Sequence, residues 1–131
     1  MQAGQSRWAS AAQDYVDDDE GNLGGRLDLN THFVTNPPAT FLMVVTGDSM
    51  IEAGIYPGTT LIIDKSVKAR SGSIVVAWVE SQYLVKRLYM RGKVIELRSE
   101  HPDPDKYPPI KFKEGQELMI WGVVVHGVNR Y

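Results

Sequence analysis

From residue 41 to the end of the chain, short apolar runs rich in Val and Ile alternate with turns that contain Gly or Pro. Runs of this length and composition are typical of β-strands, and turns at this spacing are typical of an all-β domain. The pattern predicts one helical turn over residues 49–53 and six strands, at residues 41–45, 61–63, 74–79, 83–89, 94–97 and 118–125. We therefore expect a compact all-β fold.

The beginning of the chain has a different pattern. Residues 1–30 are polar and rich in small residues, with an acidic run at 14–20. Such a segment has too little apolar surface to offset the entropy lost on ordering. We expect a flexible N-terminal arm over residues 1–35, its acidic run a solvated tail rather than a site for a basic partner, and one folded domain over residues 36–131.

Composition narrows the classes of function. The chain has 131 residues, a formal net charge of -2 and no cysteine. This length suits one domain, the charge gives no general attraction to DNA or anionic membranes, and the missing thiols exclude disulfides, thiol catalysis and cysteine-ligated zinc. No apolar run approaches the roughly 18 residues of a spanning helix, and no signal-peptide pattern is present. We expect a cytoplasmic protein without sequence-specific DNA binding or membrane attachment.

The histidines offer no metal site. His32, His101 and His126 are far apart in the sequence and in no metal-binding spacing, which favours structural or surface roles. Phosphate-binding motifs of the GxxxxGK[ST] or GxGxxG type are also missing. We therefore expect neither a metal nor a cofactor.

The first candidate for chemistry is Ser49, in the segment Gly47-Asp48-Ser49-Met50. It directly follows a predicted strand, so its hydroxyl would be exposed where the chain turns sharply out of the sheet. Backbone N–H groups at such a turn are free to bind a developing oxyanion. By itself such a segment is more often an ordinary turn.

A serine nucleophile needs a proton acceptor, and the candidate is Lys86. Strand alternation puts it on one face with Leu84, Leu88 and Met90, which is unusual for an amine. Burial would lower the pKa of the lysine, and a neutral amine could then accept the serine proton. We expect Ser49 Oγ and Lys86 Nζ within hydrogen-bond reach. On the strand pattern alone, a Lys86 amine that reaches water remains an alternative, and Arg87 is typical of a solvated neighbour.

Two blocks of the chain resemble a known family. Residues 46–50, with the segments that follow them up to residue 64, resemble the nucleophile region of the LexA/UmuD family of self-cleaving serine–lysine peptidases, of peptidase S24 type. Residues 72–77 and 85–88 resemble its lysine region, and the separation of 37 residues between Ser49 and Lys86 is of the family's kind. Both blocks in this order are much more specific than either alone, and the likeness is greatest to the UmuD branch.

The resemblance implies a small, strongly bent β domain that forms a homodimer. It implies a serine endopeptidase that cuts its own N-terminal arm, stimulated by RecA filaments on single-stranded DNA, in the SOS response. The trimmed dimer would then join a Y-family catalytic subunit (UmuC-like) as accessory subunit of an error-prone translesion DNA polymerase.

The resemblance also assigns roles to residues. Ser49 would be the nucleophile and Lys86 the general base, with the backbone N–H groups of Ser49 and Met50 holding the oxyanion. The bond between Ala3 and Gly4 matches the cleavage site by position. Only Met1 and Gln2 precede Ala3, a shorter segment than in relatives, which would put the chain near the processed form.

Three other classes compete with this interpretation. One is a non-enzymatic dimeric interaction module with an unused serine–lysine dyad, and another is the C-terminal domain of a repressor. The third is a relative of signal peptidases, which share the serine–lysine chemistry but work at the membrane.

Overall fold

The computed structural model describes residues 28–131. The chain divides into two units, Met1–His32 and Phe33–Tyr131. The predicted arm lies largely outside the described residues, as does the predicted Ala3–Gly4 cleavage site. A short helix that the pattern did not predict, α1 (Leu29–Phe33), follows Asp28, whose carboxylate accepts the Asn30 N–H at 3.0 Å. Within the described residues, no helix has the length and apolar character that crossing a membrane requires.

The second unit, all of which is described, consists of one antiparallel sheet of seven strands, which confirms the all-β prediction. The spatial order of the strands is β1-β2-β7-β3-β4-β5-β6. Their bounds are β1 Thr40–Val44, β2 Thr60–Asp64, β3 Ile74–Val79, β4 Gln82–Arg91, β5 Val94–Arg98, β6 Ile110–Phe112 and β7 Met119–Val128. The six predicted strands are all present, and β6 was missed because three residues beside a proline-rich loop are too short to show a period.

Two 3-10 helices in this unit flank β1, at Pro37–Ala39 and Ile51–Ala53. The second confirms the predicted helical turn after residue 49. It ends at Gly54, whose φ of 80° lies in the left-handed region that glycine adopts without strain. The chain therefore leaves the end of β1 through an irregular segment, turns once, and returns to the sheet as β2.

Strand β7 bends the sheet through two register shifts, one opposite Ile62 and Ile63 of β2 and one opposite Val76 and Ala77 of β3. Extra residues of this kind bend a strand and increase its twist. Both faces of β3 are covered, because the consecutive residues Val75, Val76 and Ala77 point to alternate faces and are all fully buried. One core cluster contains Met50, Ile55, Leu61, Ile63 and Val76, and the other contains Val75, Ala77, Leu88, Leu97 and Val123.

The β3–β4 hairpin sets the position of Lys86. Val79 pairs with Gln82, so Glu80 and Ser81 form a two-residue turn, with φ of 48° and 66°. Positive φ at both central residues is the geometry of a type I′ turn, whose twist matches that of the flanking strands. Counting back from the turn, the register puts Lys86 directly opposite Val75.

Candidate active site

Ser49 lies in the irregular segment between β1 and the second 3-10 helix, as the sequence predicts. Its neighbour Met50 anchors this segment, because the Met50 side chain is buried in the core beside Ile55. The Met50 carbonyl accepts the N–H groups of Ala53 at 3.0 Å and Ile55 at 3.2 Å. The backbone on the C-terminal side of Ser49 is therefore held by both packing and hydrogen bonds.

Lys86 is buried, with 7% of its surface exposed. It lies across from Val75 and two residues before Leu88, both of which are fully buried. Removal from water disfavours the charged amine and lowers the pKa of Lys86. This environment favours the predicted buried amine over the alternative in which the amine reaches bulk water.

Ser49 and Lys86 both line a cleft with a volume of about 550 Å³. Residues 43–50 and 82–86 form much of its lining, together with Tyr107 and its neighbours. Within the described part of the chain, however, the expected hydrogen bond between Ser49 and Lys86 is not formed. Lys86 Nζ donates instead to Ser99 Oγ at 2.7 Å, and it lies 5.1 Å from the centre of the Tyr107 ring.

The ladder between β4 and β5 ends beside Lys86. Arg87 pairs with Arg98, and continuing this register by one residue would put Ser99 opposite Lys86. The next residue, Glu100, bonds to the nucleophile turn instead: its N–H donates to the Ser49 carbonyl at 2.9 Å. The Glu100 carbonyl in turn accepts the Glu52 N–H at 3.0 Å. One short segment thus connects the strand of the lysine to the turn of the serine.

This departure leaves one edge of β4 open. Residues 82–86 pair with β3 on one side, and within the described chain no strand pairs with them on the other. The same residues line the cleft. Unpaired backbone N–H and C=O groups along a strand edge can bind another extended segment.

The carboxylate of Asp48, the residue before Ser49, is hydrogen-bonded by side chains of the loop after β5. It accepts hydrogen bonds from the Tyr107 hydroxyl and from Lys106 Nζ at 3.1 Å. His101 Nε2 lies 3.3 Å from it, and because His101 Nδ1 accepts the Asp103 N–H at 3.0 Å, the proton between His101 and Asp48 belongs to Nε2. The bonds from Tyr107, then those from Lys106, hold the pKa of Asp48 well below its usual range.

The backbone at Ser49 has free donors. Within residues 28–131, the N–H groups of Ser49 and Met50 donate to no protein acceptor. Free N–H groups beside a candidate nucleophile are the kind of donor that stabilises an oxyanion. Residues 28–131 also contain no group of three or more His, Asp or Glu side chains that could hold a metal ion.

Several residues around the site were missed by the sequence reasoning. Ser99 is opposite Lys86 if the pairing around the turn at Gly92 is continued outward, but the sequence carries no signal for where that pairing ends. Tyr107 and Lys106 left no signal either, because they belong to an irregular loop. Arg87, predicted to be a solvated neighbour, is about one-third exposed. It also forms contacts that the sequence did not indicate: its guanidinium bonds both carboxylate oxygens of Glu100, at 2.7 and 3.0 Å, and the Gly72 carbonyl at 2.9 Å.

Comparisons with known proteins agree on one group of relatives. A family model described as "Peptidase S24-like" matches residues 2–125. The chain is similar to Protein ImpA of Salmonella typhimurium, with 32% identity over 127 residues that cover 96% of the chain and 79% of ImpA. It is similar to Protein SamA of Salmonella typhimurium, with 33% identity over 92% of the chain and 76% of SamA. It is also similar to the LexA repressor of Shewanella baltica, with 44% identity over 72% of the chain and 45% of the repressor.

Proposed function

The chain belongs to the peptidase S24-like family, and from this premise we propose that it is a self-cleaving serine endopeptidase with a Ser49–Lys86 dyad. The membership confirms the resemblance read from the sequence. The observation that carries the proposal is the shared cleft: a turn serine and a buried lysine line the same cavity of about 550 Å³.

The proposed reaction is acyl transfer followed by hydrolysis. Neutral Lys86 takes the proton of Ser49 Oγ, which attacks the Ala3 carbonyl carbon, and the N–H groups of Ser49 and Met50 hold the oxyanion. As the intermediate collapses, the bond to the Gly4 nitrogen breaks and the Lys86 ammonium protonates that nitrogen. Lys86 then removes a proton from water, which attacks the carbonyl carbon of the Ser49 ester. As the bond to Ser49 Oγ breaks, the Lys86 ammonium returns the proton to Oγ, and the acid of Ala3 leaves and ionises to the carboxylate. Tethering of the substrate gives a high local concentration, so a modest nucleophile suffices.

We propose that the arm binds as an added strand. The open edge of residues 82–86 offers backbone hydrogen bonds to an extended segment, and it ends at Lys86. Small residues at Ala3 and Gly4 would let the scissile carbonyl approach Ser49 closely.

The test is the intact mass of the full chain after incubation with RecA, an ATP analogue and single-stranded DNA. The expected result is loss of the Met-Gln-Ala tripeptide in the wild type and no loss in Ser49→Ala or Lys86→Ala. A Lys86→Ala chain that still cleaves itself at mildly alkaline pH would exclude Lys86 as the base.

A second candidate function is a non-enzymatic interaction module with an unused dyad. It is favoured by one contact, since the Lys86 amine bonds to Ser99 and not to Ser49. This second function would be supported if the wild-type chain kept its full mass both in the RecA assay and after incubation at alkaline pH.

The resemblance to the UmuD branch supports a wider proposal, with cleavage occurring in the cytoplasm during the SOS response. The trimmed chain would then act as accessory subunit of a Y-family polymerase catalytic subunit (UmuC-like). Copurification of the trimmed chain with such a subunit, and lesion bypass by the pair but not by the subunit alone, is the expected result.

A homodimer is part of the same proposal, and one exposed apolar surface suits it. Leu42 and Val44 of β1 and Val128 of β7 lie on the same face of the sheet, because the pairings of β2 with both strands put them in adjacent rows. All three are exposed, whereas Ile62 of β2, on the same face, is buried. Leu42 is 68% exposed and Val44 63%, which is costly for apolar side chains on one face of a sheet. Sedimentation velocity should show a dimer that Leu42→Glu dissociates, whereas Val94→Glu on β5, also at an exposed apolar residue, should leave it intact.

A further inference from the structure

The contact between Lys86 and Ser99 is specific in both position and length. Ser99 follows β5 at the position opposite Lys86 in the continued register, and the distance from Nζ to Oγ is 2.7 Å. Val75 and Leu88, which flank Lys86, are apolar and fully buried. Within residues 28–131, the Ser99 hydroxyl is the sole hydrogen-bond partner of the amine.

A general base in such an environment has an orientation problem. A neutral amine carries two N–H bonds and one lone pair, and only the lone pair accepts a proton. Four torsions separate the nitrogen from the strand, so apolar walls alone leave the direction of the lone pair undetermined. An acceptor that takes one N–H removes most of this freedom.

The backbone that carries Ser99 is connected to the nucleophile through the next residue. The adjacent Glu100 N–H donates to the Ser49 carbonyl at 2.9 Å, and the Glu100 carboxylate pairs with Arg87, the neighbour of Lys86. The hydroxyl that holds the amine and the backbone that bears the nucleophile are therefore connected through one residue.

We infer that Ser99 is a positioning residue of the dyad, which holds the Lys86 amine by accepting one of its N–H groups and thereby directs the lone pair into the cleft toward Ser49. This inference rests on the proposed peptidase function. It assigns Ser99 no contact with substrate.

The experiment is first-order self-cleavage of the full chain, followed from about pH 7 to pH 10.5 without RecA. The informative pair is Ser99→Thr and Ser99→Val, which have the same shape and differ in the hydroxyl. Ser99→Val should lower the plateau rate at high pH between about 10- and 100-fold, the scale of a small misplacement of a reacting group. Ser99→Thr should stay within about threefold of the wild type. Ser73→Ala, which removes a hydroxyl from an exposed turn that does not line the cleft, is the control and should leave the rate unchanged.

The plateau rate at high pH distinguishes a positioning role of Ser99 from an effect on the pKa of Lys86. If Ser99 acted only by stabilising the ammonium, its loss would shift the midpoint of the pH profile to lower pH and leave the plateau unchanged, which would overturn the inference. Equal rates for the Thr and Val variants, or a faster Val variant, would overturn it as well, with the peptidase function intact. A wild type that never cleaves would overturn the proposed function, and the inference with it. Urea unfolding of each variant identifies any loss of rate that follows from loss of fold.

Discussion

Arg87 and Glu100 form an ion pair with two hydrogen bonds, from Nε to Oε2 at 2.7 Å and from Nη2 to Oε1 at 3.0 Å. Arg87 adjoins the candidate base on β4, and the backbone of Glu100 bonds to the carbonyl of the candidate nucleophile, Ser49. The pair therefore connects the two halves of the dyad from outside the cleft. The hydrogen bond with Arg87, before any other cause, lowers the pKa of Glu100.

Glu100→Gln should weaken this connection. Both side chains are about one-third exposed, so we expect a loss of up to about 1 kcal/mol in the free energy of unfolding, together with slower self-cleavage. The urea midpoint measures the first effect and the mass assay the second. Glu114→Gln is the matched control, because its partner Lys93 and Glu114 itself are largely exposed and lie away from the cleft. Equal effects of the two substitutions on cleavage would contradict the role assigned to Glu100.

Self-cleavage should increase with pH and reach its plateau below the ordinary lysine pKa of 10.5, because burial lowers the pKa of Lys86 and the neutral amine is the active form. Lys86→Arg should be inactive throughout this range, since a guanidinium stays protonated. A Lys86→Arg chain with wild-type rates would refute the assignment.

The same pKa shift affects stability. Between the lowered folded pKa of Lys86 and 10.5, the unfolded chain binds a proton that the folded chain has lost, so the free energy of unfolding should rise with pH. Lys86→Met should remove this rise. Lys111→Met, at an exposed lysine of β6, should retain it. Urea titrations at several pH values measure both.

Acid should destabilise the contacts of Asp48 with the loop after β5. The folded-state pKa of Asp48 lies below its ordinary value of 3.8, so the stabilisation is complete above that value and is lost as the pH falls toward the folded pKa. Asp48→Asn should therefore flatten the fall of stability below about pH 4. Asp105→Asn is the control, because within the described residues its carboxylate has no partner, and it should preserve the wild-type slope. An unchanged slope in Asp48→Asn would contradict the prediction.

Gly122 of β7 is required by close packing. A Cβ atom there would lie 2.5 Å from Ile63 Cγ2, inside the core. Gly122→Ala should cost about 1–3 kcal/mol of stability, the usual range for overpacking. Gly47→Ala, where the added atom would meet nothing within 4 Å, provides the comparison for stability in the same urea titration. A Gly122→Ala chain as stable as Gly47→Ala would show that the neighbouring strand moves aside at little cost.

The sequence alone determined the elements and the two candidate residues. Apolar runs and turn residues are local signals, so six strands, the helical turn after Ser49 and the shared face of Lys86 and Leu88 could all be read from neighbours in the chain. The family followed from two short blocks of residues in a given order. Strand β6 was missed, because three residues cannot show an alternation.

The tertiary structure alone decided what surrounds the amine and the nucleophile. Lys86 and Ser99 are 13 residues apart, and Asp48 and Tyr107 are 59 apart. These contacts depend on where the pairing of β4 with β5 ends and on where the loop after β5 passes the cleft. Neither feature produces a periodic pattern in the sequence. Strand alternation in the sequence was enough to predict that Lys86 is buried. The identity of the hydroxyl that it bonds, Ser99, depends on the path of the chain after β5, which only the structure shows.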